Sequence, residues 1–153
     1  MNALDILTYG QRTVMATIGR YRPDDWSRIA LGTWTAKDLV GHLGAFEVRF
    51  ADTLASFVGA SLESDLMAAD PETFNDAQAA IRADWPIDRV LAEFTAAHER
   101  VMTHAKALPE ARWREVGTIP WYGAEYSLDD LLVYQQYGHK REHDPQLSAA
   151  LEQ

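Results

Sequence analysis

The sequence contains no cysteine. That removes disulfides, thiol nucleophiles and thiolate metal sites together, and leaves histidine and the carboxylates as the side chains able to hold a metal. It also has no surplus of positive charge: 14 Lys and Arg stand against 23 Asp and Glu, a formal charge of −9 at pH 7. A chain of that sign repels phosphate backbones, and no basic stripe offsets it, so nucleic acid is not an expected partner. No uninterrupted apolar run approaches the roughly 18 residues of a membrane helix. "MNALDILTYG" carries an acid at Asp5 and no basic region of the kind that opens a secretory signal. Gly-rich phosphate loops and a nucleophile elbow are missing too. What remains is the expectation of a cytoplasmic protein that handles a small molecule, away from membranes.

The 153 residues, 47% hydrophobic and 24% charged, suit one domain over 1–153 that folds around an apolar core without a staple. Any metal it binds is then expected to serve function. Leu4, Leu7, Val14, Met15 and Ile18 fit one helical stripe, followed by a long connection through "GRYRPDDWSRIALGTW". Thr35 caps a second helix, with Asp38 answering it three residues on, and Leu39, Leu43, Phe46, Phe50, Leu54 and Phe57 line one face. A short helix is expected from Phe74 to Ala83, and a third long one from Ile87 to the stop at Pro109. Ser127 and Asp130 open a fourth. Four long amphipathic helices with no alternating strand pattern predict an all-α four-helix bundle.

The chemical signal is histidine. At about 100° per residue, Leu128, Leu132, Gln135, His139 and His143 fall on one side of the fourth helix, whose apolar stripe turns polar halfway along. Histidines at i and i+4 project one turn apart and can reach one metal ion. The alternative is a helix that frays after Gly138, with Asp144-Pro145 as its breaker and "HKREHDPQ" as a solvated end. His42, near the edge of the second helix's apolar face, can meet the pair if those helices are neighbours, leaving positions open for water or substrate.

His98 lies within the apolar stripe of the third helix and reads as a hydrogen-bonded core residue rather than a further ligand; His104 reads as solvated. Gln135 and Glu142 are candidates to orient a bound water or ligand, although Glu142 reads first as part of a solvated charge run with Lys140 and Arg141. Trp121 and Tyr122 either line a pocket or pack over the bundle's end.

"TWTAKDLVGHL" resembles the Trp-x-x-x-Asp-hydrophobic-x-x-His-Leu pattern of the DinB/YfiT-like superfamily of bacterial four-helix-bundle proteins, and "YGHKREHDPQL" resembles its His-x-x-x-His pattern on the last long helix. "FNDAQAAIR" and the Trp-rich loops are also similar, so the resemblance spans most of the chain. It implies a divalent metal, zinc or nickel, held by His42, His139 and His143. Activities known in the superfamily include thiol S-transfer and a mycothiol-dependent maleylpyruvate isomerisation. The implied function is a metal-dependent thiol transferase or hydrolase, with a low-molecular-weight thiol as cofactor. The alternative is a non-catalytic bundle that binds or sequesters a small molecule or a metal. Asp144-Pro145, directly after the second histidine of the pair, departs from the family pattern and bears on where His143 points. A homodimer is the expected assembly.

Overall fold

Three of the four long helical segments begin where a side chain takes up an orphan N–H group, and the fourth, which follows Pro86, has no such cap. In the computed structural model, which describes residues 2–153, Asn2 accepts from the Asp5 N–H and opens α1, Ala3–Ile18. Thr35 and Asp38 form a reciprocal capping box at the start of α2, Ala36–Phe57. Ser127 and Asp130 do the same for α5, Leu128–Leu131. The short α3, Phe74–Arg82, and the long α4, Ile87–Ala107, complete the expected set.

The connection between α1 and α2 holds more order than its Gly, Pro and Asp content suggests. A 3-10 turn at Pro23–Ser27 leads into a small antiparallel hairpin, β1 Ile29–Leu31 and β2 Trp34–Thr35. Gly32, at φ +57°, makes its tight turn. Strands of three and two residues are too short to show alternation, which is why the sequence gives no sign of them.

The fourth long helix is a composite. After α5 the backbone widens into a π-helical segment, Leu132–Tyr137, and then resumes as α6, Gly138–Ala150. The Gly138 N–H reaches back to the Val133 carbonyl, and a Cβ on Gly138 would lie 2.8 Å from that oxygen, so only glycine fits without a shift. The wider turn rotates everything beyond it. Gln136, not Gln135, enters the buried stripe, followed by Lys140, His143, Leu147 and Ala150.

The helix does not fray at Gly138, and it runs through Pro145. Its far end is pinned from outside: the Tyr21 hydroxyl donates to the Leu147 carbonyl at 2.7 Å, and the Arg28 guanidinium donates to the Gln153 carbonyl at 2.6 Å. These bonds help hold the helix beyond a residue that removes one of its own.

α2 packs on α4, α1 on α6, and the contacts of α1 with α4 and of α2 with α6 close a four-helix arrangement, with α3 against α2. The apolar core is in two main parts. Leu7, Phe50, Leu54, Val101, Leu128 and Leu132 belong to one, and Val14, Leu39, Leu43, Val90, Phe94 and Leu147 to the other. Between them, each facing helix contributes a polar group: Glu47 between Leu43 and Phe50, His98 between Phe94 and Val101, and Gln136 and Lys140 between Leu132 and Leu147.

Candidate metal centre

The α2 cap fixes where the helix starts and therefore which way His42, two turns in, is aimed. The π segment performs the same service for α6. Together they bring His42, His139 and His143 into one cluster, with one ring nitrogen from each inside a group whose members lie within 4.8 Å of one another. The ring centroids are 4.6 Å apart for His42 and His139, 4.6 Å for His139 and His143, and 5.2 Å for His42 and His143. Trp34 and Phe46 pack on His42 at 5.0 and 4.9 Å, and Phe46 also packs on His139 at 4.4 Å. Asp144-Pro145 does not turn His143 away: it is buried and faces its partners.

Burial, followed by the neighbouring His143 ring and the Arg49 charge, depresses the His42 pKa to about 4. Burial, then His42 and His143 with smaller contributions from Lys140 and Arg49, takes His139 lower still, to about 2. Both rings are therefore neutral at physiological pH, the form in which imidazole offers a lone pair to a metal.

Two observations bear on whether an ion fits this donor set. His42 Nε2 and His139 Nε2 face each other at 2.7 Å, against the roughly 3.3 Å that two imidazoles span around a tetrahedral zinc ion with bonds of about 2.0–2.1 Å. An opening of about half an ångström admits the ion. His143 donates from Nδ1 to the Gln146 Oε1 at 2.7 Å, which leaves Nε2 bearing the lone pair and holds the ring in place. The residues fit the group.

The other residues singled out in the sequence divide cleanly. His98 Nδ1 donates to Glu47 Oε1 at 2.8 Å and stands outside the cluster, as a bonded core residue should. His104 is half-buried rather than solvated, and burial lowers its pKa. Glu142 is exposed. Gln135 accepts from Arg49 at 3.4 Å. Trp121 lies over the Arg49 guanidinium at 4.0 Å, whereas Tyr122 packs edge-on against Trp121 and tilted against Tyr126.

Lys140 corrects the reading of a solvated charge run. It is 3% exposed and ion-paired at 2.9 Å to Glu47, itself fully buried, which also accepts from Gln136 at 2.8 Å. Burial alone would raise the Glu47 pKa, but the Lys140 charge and the His98 and Lys140 hydrogen bonds outweigh it and bring the carboxyl down to about 2. Glu47 and Arg49 escape a sequence reading that follows only apolar stripes. Their signal is two ionisable residues among Phe46, Phe50 and Leu54 in a helix this apolar.

Among known proteins, the model of the mycothiol maleylpyruvate isomerase N-terminal domain family matches residues 10–128. That stretch contains His42, Glu47 and Arg49 and ends before His139 and His143, so the pair joins the cluster through geometry rather than through the match. No curated protein and no solved structure matches the chain. With more than half of its length matched and an all-helical bundle around a histidine cluster, the chain belongs to the mycothiol maleylpyruvate isomerase N-terminal domain family, within the DinB/YfiT-like superfamily of helical metal-binding proteins.

Proposed function

We propose that His42, His139 and His143 hold one divalent ion, zinc or nickel, and that residues 1–153 act as a single domain that presents a low-molecular-weight thiol to an electrophilic small molecule. The observation that carries this reading is the convergence of three histidines from two helices into a cluster of metal-ligand size. The family's description, which names mycothiol, supports a thiol as the partner. A bound divalent ion lowers the pKa of a thiol or water that joins it and keeps that ligand nucleophilic at neutral pH.

The chain's own residues supply the rest. His42 and His139 stay neutral, so they meet the ion without first losing a proton. Gln146 fixes the His143 tautomer, and Trp34 and Phe46 shield the cluster on the α2 side. Of the two carboxylates that flank His143 in sequence, Glu142 is exposed and Asp144 is half-buried. No carboxylate joins the three histidines in the cluster, so a thiol held there would release its proton to solvent, which favours thiol chemistry over hydrolysis.

The same exposure of Glu142 favours a second reading, a bundle that binds the thiol or the metal without turnover. Protein purified without a histidine tag distinguishes them. The transferase reading expects one equivalent of Zn²⁺ or Ni²⁺, bound far more weakly in His139→Ala, and product when the loaded protein meets a thiol and an aryl halide. Saturable thiol binding without product supports sequestration, failure to take up any divalent ion contradicts the transferase reading, and failure to bind either metal or thiol contradicts both.

A further inference from the structure

Arg49 has no counter-charge. It is 7% exposed, and among the described residues no carboxylate lies within 4.0 Å of its guanidinium. The acids nearest to it along α2 are engaged elsewhere: Glu47 with Lys140 and His98, and Asp52 with Arg100. Its flat faces are well served, with Trp121, Phe74 and Phe46 ring centroids at 4.0, 4.2 and 4.7 Å. Its edge is not. Of five N–H donors, one makes a long bond, 3.4 Å, to Gln135 Oε1. The indole Nε1 of Trp121 beside it is buried without any partner. Burial lowers the Arg49 pKa only to about 10, so it remains a cation at neutral pH.

A buried cation with an idle fork and an idle indole donor next to it is costly unless a ligand completes it. The cost rises when the neighbouring centre is loaded, because three neutral imidazoles cancel none of a divalent ion's charge.

We propose that Arg49, Trp121 Nε1 and Gln135 form a carboxylate-binding subsite beside the three-histidine centre, so that the small molecule taken there carries a carboxylate. The guanidinium fork matches a carboxylate in two parallel hydrogen bonds, and the aromatic rings around it hold it flat for that purpose. Arg49 lies seven residues after His42 on one helix, about 10 Å along its axis. Gln135 comes one turn before His139 on the facing element. A ligand of a few carbons therefore spans the two. The subsite itself stands without the metal; the link from carboxylate to thiol rests on the function proposed above.

The test has two arms. In metal-free protein, propionate is titrated while the Trp121 indole and Gln135 amide signals are followed in ¹H–¹⁵N spectra. Saturable shifts are expected, at least tenfold weaker in affinity in Arg49→Met and several-fold weaker in Trp121→Phe, which keeps the packing and is read at Gln135. Absence of saturable shifts, or shifts unchanged in both variants, overturns the inference, and tighter binding of methylphosphonate than of propionate overturns the carboxylate assignment. In cobalt-loaded protein, 3-mercaptopropionate is compared with 2-mercaptoethanol through thiolate-to-cobalt absorbance, with at least a tenfold preference for the former expected in the wild type and lost in Arg49→Met. Neither thiol reaching cobalt while propionate still binds contradicts the thiol reading and leaves the carboxylate subsite standing.

Discussion

Two polar clusters join α2 to α6, and they are opposites. Glu47, Lys140, His98 and Gln136 form a layer between the two apolar cores in which a buried anion meets a buried cation and both carboxylate oxygens are bonded. On either side of Glu47 along α2, and flanking Lys140 on α6, the histidine cluster and Arg49 gather donors and a positive charge with no anion among them. Both have a desolvation cost, but the first is complete within the chain and the second is complete only with something added. Satisfied polar layers fix helix register, whereas unsatisfied ones mark where a ligand belongs.

The largest expected effect comes from breaking the complete cluster. Glu47→Ala leaves Lys140 buried without its partner and should cost about 3–5 kcal/mol in urea unfolding of the metal-free protein. His42→Ala, in the incomplete cluster, should cost less than about 2 kcal/mol in the same measurement while abolishing metal uptake. Equal losses in the two variants would erase the distinction.

Acid reaches the histidine cluster first, because the depressed pKa values of His42 and His139 cost stability below about pH 6.5 and that of Glu47 only below about 4.5. Glu47 titrates near 4.5 when unfolded and near 2 when folded, so its stabilisation is complete above about pH 4.5 and lost as pH falls towards 2, about 3 kcal/mol in all. His42 is neutral in the fold down to about pH 4 but protonates near 6.5 when unfolded, so the unfolded chain gains protons first and stability declines between those values. Urea midpoints of the metal-free protein should therefore fall from pH 6.5 downward. His42→Ala should flatten the upper part of the decline and Glu47→Gln the lower part.

Filling the incomplete cluster should act in the other direction. A metal that binds the native state alone raises stability by about 2.7 kcal/mol at a hundredfold excess over its dissociation constant. Chelation should lower the melting temperature and leave the helical circular dichroism intact at neutral pH. Loss of the helical signal on chelation would mean that the two apolar cores do not suffice. The smallest effect concerns orientation: Gln146→Ala frees the His143 ring and should weaken metal affinity about tenfold, measured by competition with a chelator, without changing stoichiometry.

The sequence made the bundle legible because its signals are local. Thr35 with Asp38 and Ser127 with Asp130 mark helix starts within four residues, and the stripes of α1, α2 and α4 recur within a turn. The one-turn spacing of His139 and His143 was legible for the same reason, whereas His42 meets them only once α2 and α6 lie side by side. The balance of charge was not: Lys140 sits between Arg141 and His139 and reads as surface until Glu47, far away in the chain, is placed beside it. The π segment was hidden as well, since a uniform 100° step puts Gln135 inward where the wider turn puts Gln136. Arg49 became informative only when the acids near it proved to be occupied elsewhere.

X-ray absorption at the metal edge of the zinc- or nickel-loaded protein tests the central claim most directly. A centre built from His42, His139 and His143 predicts three imidazole nitrogens in the first shell at about 2.0–2.1 Å for zinc, falling to two in His139→Ala, with added thiol contributing one sulfur near 2.3 Å. A first shell made only of oxygens, or one unchanged by His139→Ala, would contradict it.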